Sequence, residues 1–313
     1  MLTGLSAGLC WALETVILSI SLSLLPEFSI SNALFLLPLV STFLHDAFSA
    51  IFMFLVNLFK GNLKNFKDII KHKNFKWLIL ASIIGGPIGM TGYVLAVNFM
   101  GSSVGAVASA IYPAIGTLLA FIFLKEKVNL YRWIFLILTL LGVFGLSFSP
   151  DLNVKNYFLG LLGAFMCAFG WGIEAVILAK CFKETNAKNE QILFIRQTSS
   201  ALTYGFLIIP IVGGYNFTFS LFRNGNSNFF IYLFIAALFA SISYLLYYKA
   251  ISKLGASKAM ALNITYTAWA VLFTVILTND LSILSPLSII CSLVVVVCGI
   301  LSATDFKTLR KTV

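Results

Sequence analysis

Charged side chains are scarce. Asp, Glu, Lys and Arg make up 10% of the 313 residues, whereas a soluble domain carries about 25%. With 60% hydrophobic residues as well, the chain cannot cover itself with water-compatible surface, and the class expected is an integral membrane protein. Cysteine is sparse: Cys10, Cys167, Cys181, Cys291 and Cys298 lie mostly in apolar runs with no Cys-x-x-Cys spacing. They read as small buried side chains, with no disulfide framework and no metal site. There are two histidines and no His-Glu-x-x-His, Gly-x-Ser-x-Gly or phosphate-binding loop, so neither an enzyme nor a cofactor is expected. No basic segment precedes the first apolar run, which therefore reads as a spanning helix rather than a cleavable leader. Strands alternating between apolar and polar residues are also missing, which argues against a membrane barrel.

What is present is a series of long apolar runs. A span needs roughly 20 such residues, and polar breaks place ten helices at 3–24, 32–59, 77–99, 103–124, 131–149, 157–182, 188–212, 228–252, 257–278 and 284–303. The net charge of +10 would suggest nucleic acid in a soluble protein. Here the basic residues lie between the runs, no nucleic-acid partner is expected, and the charge reads as a topology signal. With the N-terminus inside, eighteen Lys and Arg fall in cytoplasmic segments and two, Lys155 and Arg223, outside. That bias puts both termini in the cytoplasm. Trp77 after Lys76 and Trp133 after Arg132 read as interface anchors.

The chain repeats itself. Trp11-x-x-Glu14-x-Val-Ile-Leu returns as Trp171-x-x-Glu174-x-Val-Ile-Leu. TFLHDAFSA (42–50) resembles LFIRQTSSA (193–201), and AVNFMGSSVGAVASAIYPA (96–114) resembles AISKLGASKAMALNITYTA (250–268), matching Tyr112 to Tyr266. The three matches fall in the same order. They divide the chain into two five-helix units, 1–150 and 151–313, within one transmembrane body. An odd number of spans per unit inverts the second copy, which is the organisation of many secondary transporters. Ser102, Ala106, Ala110 and Ala114 form a small-residue stripe, and Gly85 and Gly89 a second close-packing site. Pro113 removes an amide from its helix and frees the Ser109 carbonyl, so a bend is expected there.

Five ionisable residues lie well inside spans: Glu14, His45, Asp46, Glu174 and Arg196. An intramembrane charge costs ~2.5–3.5 kcal/mol on insertion scales, so these groups face a polar cavity, pair across helices or carry protons. Asp46 with Arg196 is the obvious structural pair. Trp11 and Glu14, Trp171 and Glu174, and Tyr266 and Trp269 are each three residues apart, hence on one side of a helix. Trp11, Trp171, Trp269, Tyr112 and Tyr266 are placed deep, Tyr244, Tyr247 and Tyr248 toward the inner side and Tyr93 toward the outer. Aromatic faces with a carboxylate suit an organic cation, each ring contributing ~0.5–2 kcal/mol. Glu174 is the favoured countercharge. Glu14, His45 and Asp46 are the candidates for proton coupling.

The ten spans, the repeat and the LKEK sequence (124–127) after the fourth span resemble the drug/metabolite transporter superfamily with EamA-type repeats. Several segments further resemble LicB-type bacterial choline permeases: GGPIGMTGYVLAV (85–97), GSSVGAVASAIYPA (101–114), CAFGWGIEAVILA (167–179), IRQTSS (195–200), SYLLYYKAI (243–251) and ALNITYTAWAVLF (261–273). The resemblance implies a plasma-membrane importer of choline with an aromatic cage drawn from Tyr112, Trp171, Tyr266 and Trp269, and Glu174 opposite the cation. The same fold also serves exporters of amino acids, drugs and other metabolites, because fold does not fix substrate.

Overall fold

The computed structural model describes residues 1–25, 33–146, 155–224 and 226–305, with the side chains of 33–35, 65 and 101–108 left out. Every regular element among the described residues is helical. The helices are α1 (Leu2–Ser23), α2 (Ala33–Phe59), α3 (Phe66–Lys71), α4 (Phe75–Ile83), α5 (Thr91–Ser109), α6 (Tyr112–Phe123), α7 (Leu130–Leu146) and α8 (Tyr157–Glu184). They continue as α9 (Asn189–Thr203), α10 (Ile209–Ile211), α11 (Gly214–Arg223), α12 (Ser227–Leu254), α13 (Ala256–Asn263), α14 (Tyr266–Thr278) and α15 (Pro286–Ala303).

Eight helical stretches are long and apolar enough to cross a bilayer, and Tyr112–Phe123 and Leu130–Leu146 are shorter apolar helices. The protein is a multi-pass membrane protein. The expected spans 103–124 and 131–149 are thus not found at full length. The first is interrupted at Ala110–Ile111, so its described remainder is a 12-residue helix of about 18 Å. The end of the second falls in residues outside the description. The backbone between the expected spans 77–99 and 103–124 stays helical, α5 running from Thr91 to Ser109, although the chain reverses direction beyond Met100. Gly101, Ser102 and Ala106 have undescribed side chains, so the small-residue stripe lies largely outside the described residues.

Contacts along α8 give the chain direction. Gly85 adjoins Glu174, Gly92 adjoins Gly163 and Cys167, and Gly160 adjoins Met100. The chain therefore runs antiparallel to α8 up to Met100. It then returns, because Tyr112 packs on Trp171, Gly116 adjoins Gly172, and Leu124 shares a cavity wall with Lys180 and Cys181. At the Lys180 end, side chains tie the connections together. The Glu126 carboxylate accepts from the Ala256 and Ser257 amides at 2.9 and 3.2 Å. Arg132 donates to the Ser302 carbonyl and the Ser257 hydroxyl, and Lys60 pairs with Glu190 at 2.5 Å.

Two features place the interior chemistry. Ile84–Met90 forms a widened π-helical turn containing Pro87. Pro87 lacks an amide, and widened turns free carbonyls that an α-helix would consume. The second feature is a pair of breaks, Ala110–Ile111 between α5 and α6 and Ile264–Thr265 between α13 and α14. Pro113 accounts for the first. At the second, the Thr265 and Thr267 hydroxyls donate to the carbonyls of Leu262 and Ile264, competing with the helical ladder.

Candidate functional site

The widened turn lets α8 and α9 approach the middle of the bundle. A Cβ on Gly85 would overlap the Glu174 carboxylate, and one on Gly86 would overlap the Ser200 side chain. A Cβ on Gly89 would come within 2.9 Å of the Trp171 ring. The Trp171 indole N–H donates to the freed Gly85 carbonyl at 3.2 Å, which fixes the ring.

Around Trp171 the aromatic side chains converge. Its ring lies 5.2 Å from Trp11, 5.1 Å from Tyr93 and 5.7 Å from Tyr112, and Trp11 lies 5.0 Å from Tyr244. All five are buried. They come from α1, α5, α6, α8 and α12. Trp11, Tyr112, Trp171 and Glu174, with Ser243, Tyr244 and Tyr247 of α12 and Asn263 of α13, enclose a cavity of about 20 Å³. Asn263 ends α13 and donates to the Tyr112 hydroxyl at 2.9 Å, so the two helix breaks meet at the cavity wall. A larger cavity of about 510 Å³ lies between α4, α6 and α8 beside Lys180. It is walled by apolar side chains such as Trp77, Leu119 and Phe123 and has no acid in its lining, so it offers no countercharge for a cation.

Beside the aromatic cluster runs a buried ionic chain. Arg196 donates to Glu174 at 3.1 Å, to Asp46 at 3.3 Å, to Gln197 at 2.6 Å and to the Tyr244 hydroxyl at 3.1 Å. Its guanidinium also lies 4.7 Å from the Tyr244 ring centre. Glu174 accepts from Tyr248 at 2.9 Å, and Asp46 accepts from Ser200. Asp46 adjoins His45 at 3.1 Å, and the far ring nitrogen of His45 is 3.6 Å from Glu14. The chain thus holds three buried carboxyls and one guanidinium, which bonds two of them, Glu174 and Asp46. A dry interior does not hold two uncompensated anions, so the excess is met by protons or by a cation.

An EamA-like transporter family profile matches residues 1–148 and again 158–302. The chain belongs to the EamA-like transporter family. It is a transporter of the drug/metabolite superfamily, not an enzyme. It is 31% identical over 194 residues to Protein LicB of Haemophilus influenzae (strain ATCC 51907 / DSM 11121 / KW20 / Rd). That match covers 61% of this chain and 63% of the relative. A protein of known crystal structure shares the fold with a TM-score of 0.67 and 15% identity, over 97% of this chain and 95% of its own.

Within this transporter, Trp11, Tyr112, Trp171, Glu174 and Tyr247 come together at the central cavity. Tyr266 is buried but is not among the residues lining it. Trp269 is not brought there. It lines a separate cavity of about 260 Å³ with Leu284, Ser288 and Val296. Both Trp269 and Tyr266 lie in α14, beyond the break at Ile264–Thr265. Glu14, His45 and Asp46 lie in the ionic chain and outside the cavity lining. Sequence reasoning placed Tyr93 toward the outer side and Tyr244 toward the inner, yet both join the cluster. A π turn adds a residue to the helical register and rotates the helix beyond it, which is where Tyr93 stands. Glycines and a proline in GGPIG were the available signal. The Arg196–Glu174 bond was not anticipated.

Proposed function

We propose that this transporter imports choline, or a closely related quaternary ammonium, across the bacterial plasma membrane by alternating access. The observation that carries the proposal is the convergence of Trp11, Tyr93, Tyr112, Trp171 and Tyr244 beside a buried network with more carboxyls than cations. Ring faces attract a cation that has shed its water. A quaternary ammonium has no N–H to satisfy, so rings alone can wrap it while Glu174 supplies charge from one side. The resemblance to LicB-type choline permeases points to the same substrate.

The two-state machinery would be a pair of inverted five-helix repeats, 1–150 and 151–313, with ten crossings, α6 and α7 completing the eight longer stretches. Three observations support it. The family profile matches twice. Helix packing comes in exchanged pairs: α1 against α12 as α5 against α8, α1 against α14 as α6 against α8, and α2 against α12 as α4 against α9. The breaks at 110–111 and 264–265 fall at the offset that matches Tyr112 to Tyr266. Discontinuous helices at a repeat interface are where such transporters bind solute. The excess of basic residues on one side puts both termini in the cytoplasm.

An inside-negative potential contributes ~2.3 kcal/mol per charge per 100 mV to cation entry. Proton coupling would run through Glu14, His45 and Asp46. The test is calorimetric titration of the purified protein with choline, leucine and lysine. Saturable binding of choline alone supports the proposal. Binding of an amino acid in preference to choline would assign the fold to amino-acid transport.

A further inference from the structure

The cavity of about 510 Å³ stands apart from the aromatic cluster and takes no part in the reading above. α4 and α6 both pack on α8, with no comparable packing between them. The cavity is therefore a cleft with α8 as its floor and the two shorter helices as its sides. Leu119 and Phe123 of α6, Ile173 and Ile177 of α8 and Trp77 of α4 form its apolar walls. Ile173 and Lys180 are about two helical turns apart, so the cleft runs about 10 Å along α8. Trp77 and Phe123 are exposed on the outside of the bundle, so the cleft opens sideways, toward the bilayer. One end of it is polar and holds Asn74 and Lys180.

That end is basic. Lys180 is in the lining, Lys76 holds its ammonium 5.7 Å from the Trp77 ring centre, and Lys125 directly follows the wall residue Leu124. None of the three forms an ion pair among the described residues. Two acids adjoin them, and both are turned to other partners. Glu184 accepts from the Asn74 side chain at 2.7 Å, and Glu126 accepts from the amides of Ala256 and Ser257. The cleft thus joins a group of ammonium ions to an apolar slot. A soluble anion would meet the lysines and leave the slot unused. A neutral apolar solute would do the reverse, and a zwitterionic lipid would bring its own cation to the lysines. A lipid with an anionic headgroup meets both parts.

We propose that the cleft between α4, α6 and α8 binds an anionic phospholipid, its acyl chains against Leu119, Ile173 and Ile177 and its phosphate at Lys180 and Lys76. Basic pockets between membrane helices suit acidic headgroups. The lysine stems can lie along the apolar walls while their ammonium groups reach the phosphate level. Trp77 fits the same placement, because an indole is favoured at the boundary between headgroups and acyl chains. α4 and α6 lie in the first match of the family profile and α8 in the second, so the lipid contacts both. The site does not depend on which solute the transporter carries.

The experiment titrates delipidated, purified full-length protein with phosphatidylglycerol or with phosphatidylcholine of the same acyl chains, and reads bound lipid by native mass spectrometry. Wild type is compared with the double variant Lys76→Gln/Lys180→Gln and with Lys249→Gln/Lys253→Gln, which removes equal charge from α12. Wild type is expected to bind phosphatidylglycerol about tenfold more tightly than phosphatidylcholine, and the Lys76/Lys180 variant to bring that ratio to within about threefold of unity. The α12 variant is expected to keep the wild-type ratio. Only folded, intact protein is counted, so a misfolded fraction does not mimic the effect. No preference in wild type, a preference that survives the Lys76/Lys180 change, or one lost equally in the α12 variant would overturn the site. Glycerol 3-phosphate, which carries the anion without the tails, is expected not to displace the bound lipid. Displacement by it would replace the lipid site with one for a soluble anion.

Discussion

The two Trp-x-x-Glu segments have the same sequence pattern and different surroundings. In the second, the Trp171 N–H is bonded to the Gly85 carbonyl, and Glu174 lines the cavity and is held by Arg196 and Tyr248. In the first, the Trp11 ring lies 5.7 Å from Tyr93 and its N–H makes no bond to the widened turn. Glu14 is fully buried away from the cavity, touching Thr15 at 3.5 Å and facing His45 at 3.6 Å. The matched segments 42–50 and 193–201 align His45 with Arg196. At matched sequence positions, Glu14 lies 3.6 Å from His45 and Glu174 is bonded to Arg196. The difference is that a guanidinium keeps its charge at every accessible pH, whereas an imidazole exchanges its proton in the physiological range. The Trp171-x-x-Glu174 segment is therefore matched with a guanidinium and the Trp11-x-x-Glu14 segment with an imidazole.

Removing the permanent cation should have the largest effect. Arg196→Met leaves Glu174 and Asp46 buried without their common partner, and breaking a buried pair costs about 3–5 kcal/mol. The aligned change His45→Leu should cost about 1–2 kcal/mol. Thermal unfolding in detergent checks both, and equal losses would mean that the two pairs do the same structural work. Next comes Glu174→Gln, which keeps size and removes charge. It should weaken choline binding at least tenfold, ~1.4 kcal/mol, and Glu14→Gln should weaken it less, as calorimetry would show.

His45→Arg makes the halves alike. Wild type should take up choline faster under an inward proton gradient at clamped voltage, and the variant should respond to voltage alone. A variant that keeps its pH-gradient response would remove His45 from coupling. The smallest difference concerns the indoles. Trp171→Phe gives up the bond to Gly85 and should destabilise by about 1 kcal/mol more than Trp11→Phe, again read by thermal unfolding.

Much of the fold was legible because bilayers impose simple rules. Apolar length marked the long helices, and self-similarity pointed to two repeats, a reading that the double match of the family profile supports. The close approach at Gly85 and Gly89 was visible as spacing, although its purpose, room for Glu174 and Trp171, was not. The break at Ala110–Ile111 carried the signal of Pro113. The break at Ile264–Thr265 carries no proline and depends on threonine hydroxyls bonding backward, which composition does not reveal. Trp269 was placed at the cavity by its spacing from Tyr266 and by the family resemblance, neither of which fixes which neighbour α14 turns it toward. Arg196 was paired with Asp46, which it does bond, but its shorter bond to Glu174 crosses between α8 and α9 and depends on the facing of two helices, which one sequence does not fix. Tyr93 was not counted with the cage because it lies beyond the π turn of Ile84–Met90, whose shift of register spacing alone does not show.

The central claim is that the aromatic chamber carries an organic cation inward. The most direct measurement is uptake of radiolabelled choline into proteoliposomes under an imposed inside-negative potential, with and without an inward proton gradient, for wild type and Glu174→Gln. The account predicts saturable uptake above protein-free liposomes, driven by the potential, accelerated by the proton gradient and strongly reduced by the substitution. Uptake no greater than in protein-free liposomes, or uptake indifferent to Glu174→Gln, would contradict it.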